Sequence, residues 1–186
     1  MRIIAGRFKG RRLAAPPEGV RPTSDRVRER LFAVLESATG APLPGGVGVD
    51  LFCGAGTLGI EALSRGAAAM HFVDRSARAL AVLERNLAPL REAGAAAAVH
   101  RADARRFVER QWPAGPVAWV FLDPPYDDPA GPACLAALAA RHADGLGWVA
   151  YESRDAGLAA PPGLMRERVL RCGGTAVVLM RGGVTP

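Results

Sequence analysis

One tetrapeptide, Asp123-Pro124-Pro125-Tyr126, constrains the fold and the chemistry of this chain more than any other feature. It directly follows an apolar run over 116–122, whose length and composition predict a buried strand. In an open α/β sheet, ligands bind where the strands end, so the tetrapeptide is expected at a binding edge. Asp and Pro are also common in turns, which leaves a plain strand-end turn as the alternative.

Each residue type of the tetrapeptide has a chemical use. The carboxylate of Asp123 can accept a hydrogen bond from an amino group. Pro124 keeps the preceding residue extended, and its carbonyl offers a second acceptor, while Pro125 stiffens the turn further. The ring of Tyr126 presents a flat face on which a nucleobase can stack. The pattern therefore predicts a catalytic site for an amino group on a base, made of Asp123, Pro124, Pro125 and Tyr126.

A glycine-rich loop follows an earlier predicted strand over 47–52. The pattern Gly54-x-Gly56-x-x-Gly59 then leads into a predicted helix that ends near residue 65. Glycines let the backbone turn tightly and approach a ligand, and the spacing formally matches a dinucleotide-binding loop. The next predicted strand ends at Asp74, 18 residues after Gly56, which is near the spacing at which a carboxylate meets ribose hydroxyls.

Predicted strands and helices alternate along most of the chain. Apolar runs predict strands at 47–52, 70–74, 96–100, 116–122 and 147–152, with helices ending near 65 and spanning 76–90, 105–111 and 132–143. Two further β segments, 164–170 and 175–180, are joined around Gly173-Gly174 and predict a closing antiparallel hairpin. The alternation predicts an α/β fold, a mostly parallel Rossmann-like sheet with helices on both faces. We expect this domain to span 45–186, after a basic arm and helix in 1–44.

The positive charge is concentrated at the start of the chain. Nine of the 24 basic residues but only three of the 18 acidic ones fall in residues 1–30, so this segment accounts for the whole net charge of +6. Such asymmetry indicates a polyanionic partner, most simply nucleic acid. The basic side chains that we expect to contact RNA phosphates are Arg2, Arg7, Lys9, Arg11, Arg12, Arg21, Arg26 and Arg28.

Within this segment the pattern predicts two elements. Apolar residues around Gly6 and Gly10 predict a small hairpin. A helix is expected to begin after a cap at Thr23 or Ser24, with Val27, Leu31, Val34 and Leu35 on its apolar face. Arg26, Arg28 and Arg30 are expected largely elsewhere on the helix surface, where a solvated face is the simpler alternative to phosphate contact.

Composition favours a cytoplasmic protein without a metal site. The apolar runs are too short to span a bilayer, and no signal-peptide pattern opens the chain. The three cysteines, Cys53, Cys134 and Cys172, show no metal-ligand spacing, so we expect them to be reduced and to act as small apolar side chains.

The loop and the strand-end acids predict a cofactor that contains a nucleoside, and both NAD and S-adenosyl-L-methionine contain one. Asp50 favours the latter, because a carboxylate there can meet a cationic ligand or orient the loop, whereas a pyrophosphate prefers neutral amides. The Asp123 tetrapeptide favours it further, since hydride transfer has no evident use for such a motif and methylation of an exocyclic amine does.

Five blocks together resemble the bacterial 16S ribosomal RNA guanine-N2 methyltransferase family, RsmD. They are Met1–Gly6, Arg21–Glu29, Asp50–Gly56, Glu61–Ala68 and Phe121–Tyr126. The resemblance implies a class I methyltransferase fold that uses S-adenosyl-L-methionine. It also implies a target in the small subunit, the 2-amino group of one guanine of 16S rRNA (guanine 966), read within the 30S subunit or an assembly intermediate. We expect a monomer.

Carried over by position, the resemblance implies a set of cofactor-binding residues, in which Asp74 meets the ribose and Asp103 reads the adenine. The full set is Asp50, Phe52, Gly54, Gly56, Thr57, Asp74, Arg75, Asp103, Ala104 and Asp123. The residues at Cys53 and Thr57 depart from the usual Ala or Gly. Glu152 resembles a strand-end acid of the family, with no role assigned to it.

Three alternatives remain open from the sequence. An adenine amino-methyltransferase acting on DNA can use the same tetrapeptide, although this chain lacks a sizeable target-recognition domain. A non-catalytic RNA-binding assembly factor could keep the fold, although the loop, the acids and the tetrapeptide are all intact. An NAD-dependent oxidoreductase is the third.

Overall fold

The structure, a computed structural model, describes residues 1–15, 25–39, 43, 45–126 and 128–183. The helices are α1 (Asp25–Thr39), α2 (Thr57–Arg65), α3 (Ala77–Glu92), α4 (Ala104–Arg110) and α5 (Ala130–His142), with a 3-10 turn at Ala143–Gly145. The strands are β1 (Val47–Leu51), β2 (Ala69–Asp74), β3 (Ala96–Arg101), β4 (Val117–Leu122), β5 (Leu146–Ser153), β6 (Leu164–Cys172) and β7 (Thr175–Gly182). None of the helices in these ranges has the length and apolar character needed to cross a membrane.

The strands form one sheet in the order β3-β2-β1-β4-β5-β7-β6. The five strands from β1 to β5 are parallel, and β7 runs antiparallel between β5 and β6. This arrangement confirms the predicted mostly parallel sheet with a closing antiparallel hairpin. The predicted strands and helices are all present, and their ends move by only a few residues. Ser76, for example, caps α3 from outside the helix by accepting a hydrogen bond from the Ala79 N–H.

The register of the parallel strands aligns their carboxyl ends along one edge. Leu51 of β1 pairs with Val73 of β2 and with Leu122 of β4, and Leu122 pairs in turn with Tyr151 of β5. The next position along each strand therefore lies at the same edge. Those positions include Asp74, Asp123 and Glu152, so three acidic side chains follow one row of the sheet.

Two apolar layers cover the two faces of the sheet. One layer contains buried side chains from residues 1–15, α1, α2 and α3, and the other contains those of α4 and α5. Parallel strands covered on both faces explain the nearly continuous apolar runs in the sequence, such as β4, in which only Ala118 is less than fully buried. The helices therefore leave the carboxyl-end edge of the strands as the place for a site.

Residues 1–15 pack onto this core as a short folded-back arm. Ile3, Phe8 and Leu13 are buried. The Ile3 N–H donates to the Arg11 carbonyl at 3.0 Å, and Arg2 and Arg12 form an antiparallel bridge. The small hairpin predicted around the two glycines is thus present, as a single bridge rather than a regular ladder.

Helix α1 has the predicted apolar face, but one of its arginines lies inside the protein. Val27, Leu31 and Leu35 are buried, and Arg28 is 0% exposed. The Arg28 guanidinium donates to the Asp25 carboxylate at 2.7 Å and to the Arg2 carbonyl at 2.8 Å. Burial lowers the pKa of Arg28, while the negative charges of Asp25 and Glu61 oppose this shift.

The prediction that Arg28 contacts RNA is therefore wrong, because its charged group joins α1 to the arm and does not reach the surface. The sequence pattern could not show this, since Arg28 is adjacent to an apolar position and carries a full charge. Arg21 and the predicted caps Thr23 and Ser24 lie outside the described residues.

Candidate active site

The loop between β1 and α2 is a left-handed turn. Phe52, Gly54 and Gly56 have φ angles of 61°, 54° and 81°. The Gly56 N–H donates to the Cys53 carbonyl at 2.7 Å and closes the turn. A Cβ atom on Gly56 would lie 2.3 Å from a methyl carbon of Leu83, so a larger residue does not fit there. The loop thus delivers its backbone to the sheet edge, as the glycine pattern predicts.

Asp50 of β1 is tied to α2, the helix that follows this loop. Its side chain is 2% exposed, and its Oδ2 accepts the Gly59 N–H at 2.8 Å. Burial raises the pKa of Asp50 to about 8; the Gly59 N–H opposes this shift, and the charges of Asp123 and Asp74 add to it. The Asp50 side chain is thus held by the first turn of α2, just after the loop.

Asp74 holds the other side of the same loop. Its Oδ2 accepts the Gly54 N–H at 2.9 Å, and its Oδ1 accepts the Ser76 N–H at 2.8 Å. The next residue, Arg75, is exposed and lies 3.5 Å from the Asp128 carboxylate, which belongs to the segment after the tetrapeptide. This ion pair joins the β2–α3 connection to the β4–α5 connection across the site.

The remaining predicted cofactor residues lie around the same edge. Asp103 is exposed and caps α4, where its Oδ1 accepts the Arg106 N–H at 2.9 Å. Ala104 begins α4 and is buried, and Thr57 begins α2 and is 8% exposed. The structure thus brings the glycine loop, Asp74 and Asp103 to three neighbouring strand ends.

The tetrapeptide follows β4 at this edge. Pro124 is buried, and Asp123 and Tyr126 are partly buried. Helix α5 begins tightly against it, because a Cβ atom on Gly131 would lie 2.6 Å from both Pro124 Cγ and the Tyr151 hydroxyl. The Pro125 carbonyl accepts the Asp128 N–H at 3.1 Å. The segment is therefore a packed and hydrogen-bonded turn.

Two residues at the end of β5 contact the tyrosine of the tetrapeptide. The Tyr126 hydroxyl donates to Glu152 Oε1 at 2.8 Å. The Arg154 guanidinium lies 4.7 Å from the centre of the Tyr126 ring. Glu152 had no predicted role, and Arg154 was not predicted as a site residue. The available signal was their position, since the strand predicted at 147–152 ends next to both residues.

Asn86 of α3 is a further residue that the sequence analysis missed. Its Oδ1 accepts the Ala14 N–H at 2.8 Å, and its Nδ2 donates to the Ala55 carbonyl at 3.0 Å. It is 5% exposed. One buried side chain therefore joins the end of the arm to the glycine loop.

The arm docks on α2 through buried polar groups. The Glu61 carboxylate accepts the N–H groups of Ile4 and Ala5, and the Nε of Arg65 donates to it at 2.7 Å. Ser64 Oγ accepts the Phe8 N–H at 3.0 Å. These bonds join the first and fourth of the sequence blocks named above, Met1–Gly6 and Glu61–Ala68.

Basic side chains cover the outer surface of the arm. Arg7 and Arg11 place their guanidinium groups 5.0 and 5.9 Å from the centre of the Phe8 ring, and Arg7 also donates to the Ala93 carbonyl. The predicted RNA contacts that are exposed in the structure are Arg2, Arg7, Lys9, Arg11, Arg12 and Arg26.

The cysteine thiols that the structure describes are poor nucleophiles. Cys53 and Cys134 are buried. Burial raises the pKa of Cys53 well above its ordinary value and that of Cys134 to about 12. Among the described residues, no group of three or more His, Cys, Asp or Glu side chains could hold a metal ion.

Comparison with known sequences gives one family and several relatives. The model of a family described as Conserved hypothetical protein 95 matches residues 1–180. YlbH of Bacillus subtilis is 43% identical over 131 residues, which cover 69% of this chain and 68% of that protein. A protein of Escherichia coli named ribosomal RNA small subunit methyltransferase D is 39% identical over 127 residues, or 68% of this chain. This match spans 60% of the Escherichia coli protein, less than two thirds of its length.

Solved structures show the same fold over nearly the whole chain. YhhF of Escherichia coli superposes with a TM-score of 0.79 at 32% identity and covers 98% of this chain and 97% of its own. HI0767 of Haemophilus influenzae gives a TM-score of 0.74 at 27% identity, with 97% of each chain covered. TrmN of Thermus thermophilus, at 22% identity and a TM-score of 0.64, shares the fold.

Proposed function

This chain belongs to the family described as Conserved hypothetical protein 95, and from that premise we propose that it methylates ribosomal RNA with S-adenosyl-L-methionine as methyl donor. More specifically, we propose as target the 2-amino group of guanine 966 in 16S rRNA. The observation that carries the proposal is the packed Asp123–Tyr126 turn, which follows β4 at the sheet edge where the glycine loop follows β1. The name of the Escherichia coli relative, ribosomal RNA small subunit methyltransferase D, supports the rRNA class.

The residues around the glycine loop fit the proposed cofactor. Asp74 offers carboxylate oxygens for ribose hydroxyls, and Asp103 offers an exposed acceptor for an adenine amino group. The left-handed turn at Gly54 and Gly56 leaves its backbone close to the same edge. The remaining cofactor contacts that we propose are Asp50, Phe52, Thr57, Arg75, Ala104 and Asp123. The bound cofactor would supply an activated methyl group on a cationic sulfur.

The tetrapeptide supplies the orientation of the amine. The lone pair of an exocyclic amine is delocalised into the base, which makes it a weak nucleophile. In this proposal the Asp123 carboxylate and the Pro124 carbonyl accept the two N–H bonds of the amine and favour its pyramidal form. Orientation of this kind can contribute up to about 7–11 kcal/mol in favourable cases.

Tyr126 fixes the plane of the base by stacking. A base stacked on an aromatic ring contributes about 1–3 kcal/mol of binding. A guanine in an RNA loop can be presented without breaking a duplex, which suits a small chain. Pro125, which is exposed, stiffens the backbone between the acceptors and the ring.

The arm is the part of the chain that we propose to contact RNA phosphates. Arg2, Arg7, Lys9, Arg11, Arg12 and Arg26 are exposed there, and phosphate contacts of this kind raise affinity without reading sequence. We propose that residues 1–44 bind RNA and that residues 45–186 transfer the methyl group. The substrate would be the 30S subunit or an assembly intermediate, bound by a monomer in the cytoplasm.

The proposal is tested by transfer of tritiated methyl groups to three acceptors. These are small subunits that lack the methylation, naked 16S rRNA, and genomic DNA, each followed by nucleoside analysis. Labelled 2-methylguanosine from rRNA or subunits supports the proposal and identifies the substrate form. Labelled methyladenine in DNA would show that the substrate is DNA and not rRNA. If no acceptor is labelled although the protein binds the cofactor, the result would point to a non-catalytic binding protein.

A further inference from the structure

We propose that Glu152 is a positioning residue that holds the Tyr126 ring in the plane in which the target base stacks. This inference rests on the proposed function, since it names the residue that prepares the base-binding surface of the same site. It assigns a role to the strand-end acid, which had no role in the sequence-based prediction.

The inference is based on a direct hydrogen bond between Tyr126 and Glu152. The Tyr126 hydroxyl donates to Glu152 Oε1 at 2.8 Å, and Glu152 is 7% exposed. A carboxylate accepts hydrogen bonds without offering one, and bonds to a charged acceptor are stronger than those between neutral groups. The bond therefore fixes the direction in which the phenol points.

The two partners differ in how firmly the fold holds them. Glu152 lies in β5, which has β4 on one side and β7 on the other, and it pairs with Val177 of β7. Tyr126 lies in the connection after β4, beyond both prolines. The prolines restrict the backbone of Asp123 and Pro124, whereas they do not set the rotation of the Tyr126 ring. The carboxylate in the sheet supplies that constraint to a side chain in a loop.

The ring face that this arrangement presents already accepts a flat group. The planar guanidinium of Arg154 lies over the ring at 4.7 Å from its centre, and Arg154 directly follows the last residue of β5. A nucleobase is also planar and can stack on this face in place of the guanidinium. The end of β5 thus contributes one contact to the hydroxyl of Tyr126 and one to its ring.

Two other roles for Glu152 make different predictions. A purely structural role would lower stability and cofactor affinity together when Glu152 is replaced. A direct contact between Glu152 and the base would leave the Tyr126 hydroxyl without importance. The positioning role makes the two side chains act as one unit, so that removing either end of the bond has the effect of removing both.

The experiment compares Tyr126→Phe, Glu152→Leu, the double variant and Glu152→Gln, with Glu167→Leu as control, since Glu167 is an exposed glutamate on β6. Methyl transfer to rRNA is measured as kcat and KM. In parallel, stacking is measured by quenching of 2-aminopurine fluorescence in a short RNA, which requires no turnover. Thermal unfolding and cofactor affinity are recorded for every variant.

We expect Tyr126→Phe and Glu152→Leu each to lower kcat/KM and quenching by about tenfold, the size of one charged hydrogen bond. The kcat/KM and the quenching of the double variant should lie within about twofold of those of the less active single variant. Glu152→Gln keeps an acceptor oxygen and should stay within about threefold of the parent, as should Glu167→Leu. Cofactor affinity should change little in all of them.

Multiplicative losses in the double variant, or full activity and quenching in Glu152→Leu, would overturn the inference. So would a fully active Tyr126→Phe beside an inactive Glu152→Leu, because that result assigns the carboxylate to the base itself. If the parent protein transfers no methyl group to any rRNA form, the proposed function fails, whereas the quenching measurements still decide whether Glu152 and Tyr126 act together.

Discussion

The Glu61 carboxylate of α2 accepts the backbone N–H of Ile4 at 2.9 Å, across 57 residues of sequence. The same carboxylate accepts the N–H of Ala5 and the Nε of Arg65, and the side chain is 1% exposed. An acid buried at an arm-to-helix contact satisfies backbone donors that no regular strand pairing reaches. The basic arm is therefore held on the helix that begins directly after the glycine loop.

Replacing Glu61 by Gln should release the arm. The amide keeps one acceptor but places an NH2 group among donors, and it removes the charge that faces Arg65. Breaking a buried ion pair at one end typically costs about 3–5 kcal/mol. We expect a loss of roughly that size in urea unfolding and faster trypsin cleavage after Arg7, Arg11 and Arg12. Glu36→Gln is the control, because Glu36 also pairs with Arg65 at 2.7 Å but is 31% exposed. Equal cleavage in both variants would contradict this role of Glu61.

Gly6→Ala should be far more damaging than Gly10→Ala. Both residues have left-handed backbones, with φ of 80° and 83°. A Cβ atom on Gly6 would lie 1.8 Å from the Ser64 carbonyl oxygen, whereas nothing lies within 4 Å of one on Gly10. Backbone strain alone should cost Gly10→Ala about 1–2 kcal/mol. Gly6→Ala adds an overlap that is relieved only by moving the arm off α2. The midpoint temperatures of unfolding of the two variants, measured by calorimetry, distinguish backbone strain from steric overlap. Equal midpoints would contradict the close contact between residue 6 and the Ser64 carbonyl.

Asp50→Asn should change how stability depends on pH. The pKa of Asp50 is raised from its ordinary value of 3.8 to about 8 in the folded protein, chiefly by burial. Between these two values the unfolded chain ionises Asp50 while the folded protein keeps it protonated. Its contribution to stability is therefore full below pH 4 and is lost as the pH rises towards 8, by at most about 1.4 kcal/mol per pH unit. Asn mimics the neutral acid and cannot titrate.

The measurement for Asp50 is urea unfolding of both proteins at several pH values from 5 to 8. The stability of Asp50→Asn relative to the parent should increase steadily over this range. A constant difference would mean that Asp50 is ionised in the folded protein throughout.

Asp123→Ala should abolish methyl transfer, by about a hundredfold or more, and leave affinity for S-adenosyl-L-methionine within about threefold. The reason is that the carboxylate is proposed to hold the target amine and not the main body of the cofactor. Asp144→Ala is the matched control, because Asp144 is an exposed acid in the 3-10 turn that precedes β5, at the opposite edge of the sheet. The rate of methyl transfer is measured in single-turnover experiments, and cofactor affinity is measured by calorimetry. A near-normal rate would show that Asp123 takes no part in the reaction.

Replacing Arg7, Lys9, Arg11 and Arg12 together by Gln should weaken RNA binding and flatten its salt dependence. The slope of log affinity against log salt is negative, and each lost phosphate contact reduces its magnitude by roughly 0.7–0.9. The control removes four exposed arginines from α4 and α5, on the other face of the sheet: Arg105, Arg106, Arg110 and Arg141. Both variants lose the same charge, so a similar slope in the two would show that the arm has no special part in binding.

The strands and helices could be predicted because apolar periodicity depends on burial alone. The run before Asp123 is apolar since β4 is covered on both faces, and the glycine pattern marked the turn in which Gly54 and Gly56 have positive φ. Their place at one edge then followed from the general rule for parallel strands.

The polar partners could not be predicted, because their pairing depends on contacts between distant parts of the chain. Asn86 joins Ala14 and Ala55 across 72 and 31 residues, and no periodicity specifies such a pair. Arg28 was expected at the surface from its charge, yet it is buried because the Arg2 carbonyl and Asp25 satisfy its guanidinium inside. Glu152 could be placed at a strand end, but its partner Tyr126 became evident only from the fold.

The docking of the arm on Glu61 has a consequence for how the protein is made. Ribosomes build chains from the amino end at roughly 5–20 residues per second, so the 57 residues between Ile4 and Glu61 take roughly 3–11 s to add. Throughout that time the Glu61 carboxylate is not yet available to the N–H groups of Ile4 and Ala5, and the basic side chains of the arm are already present. The arm is thus synthesised before α2 and can dock on Glu61 only after α2 has been made, so until then the nascent chain carries this cationic segment undocked.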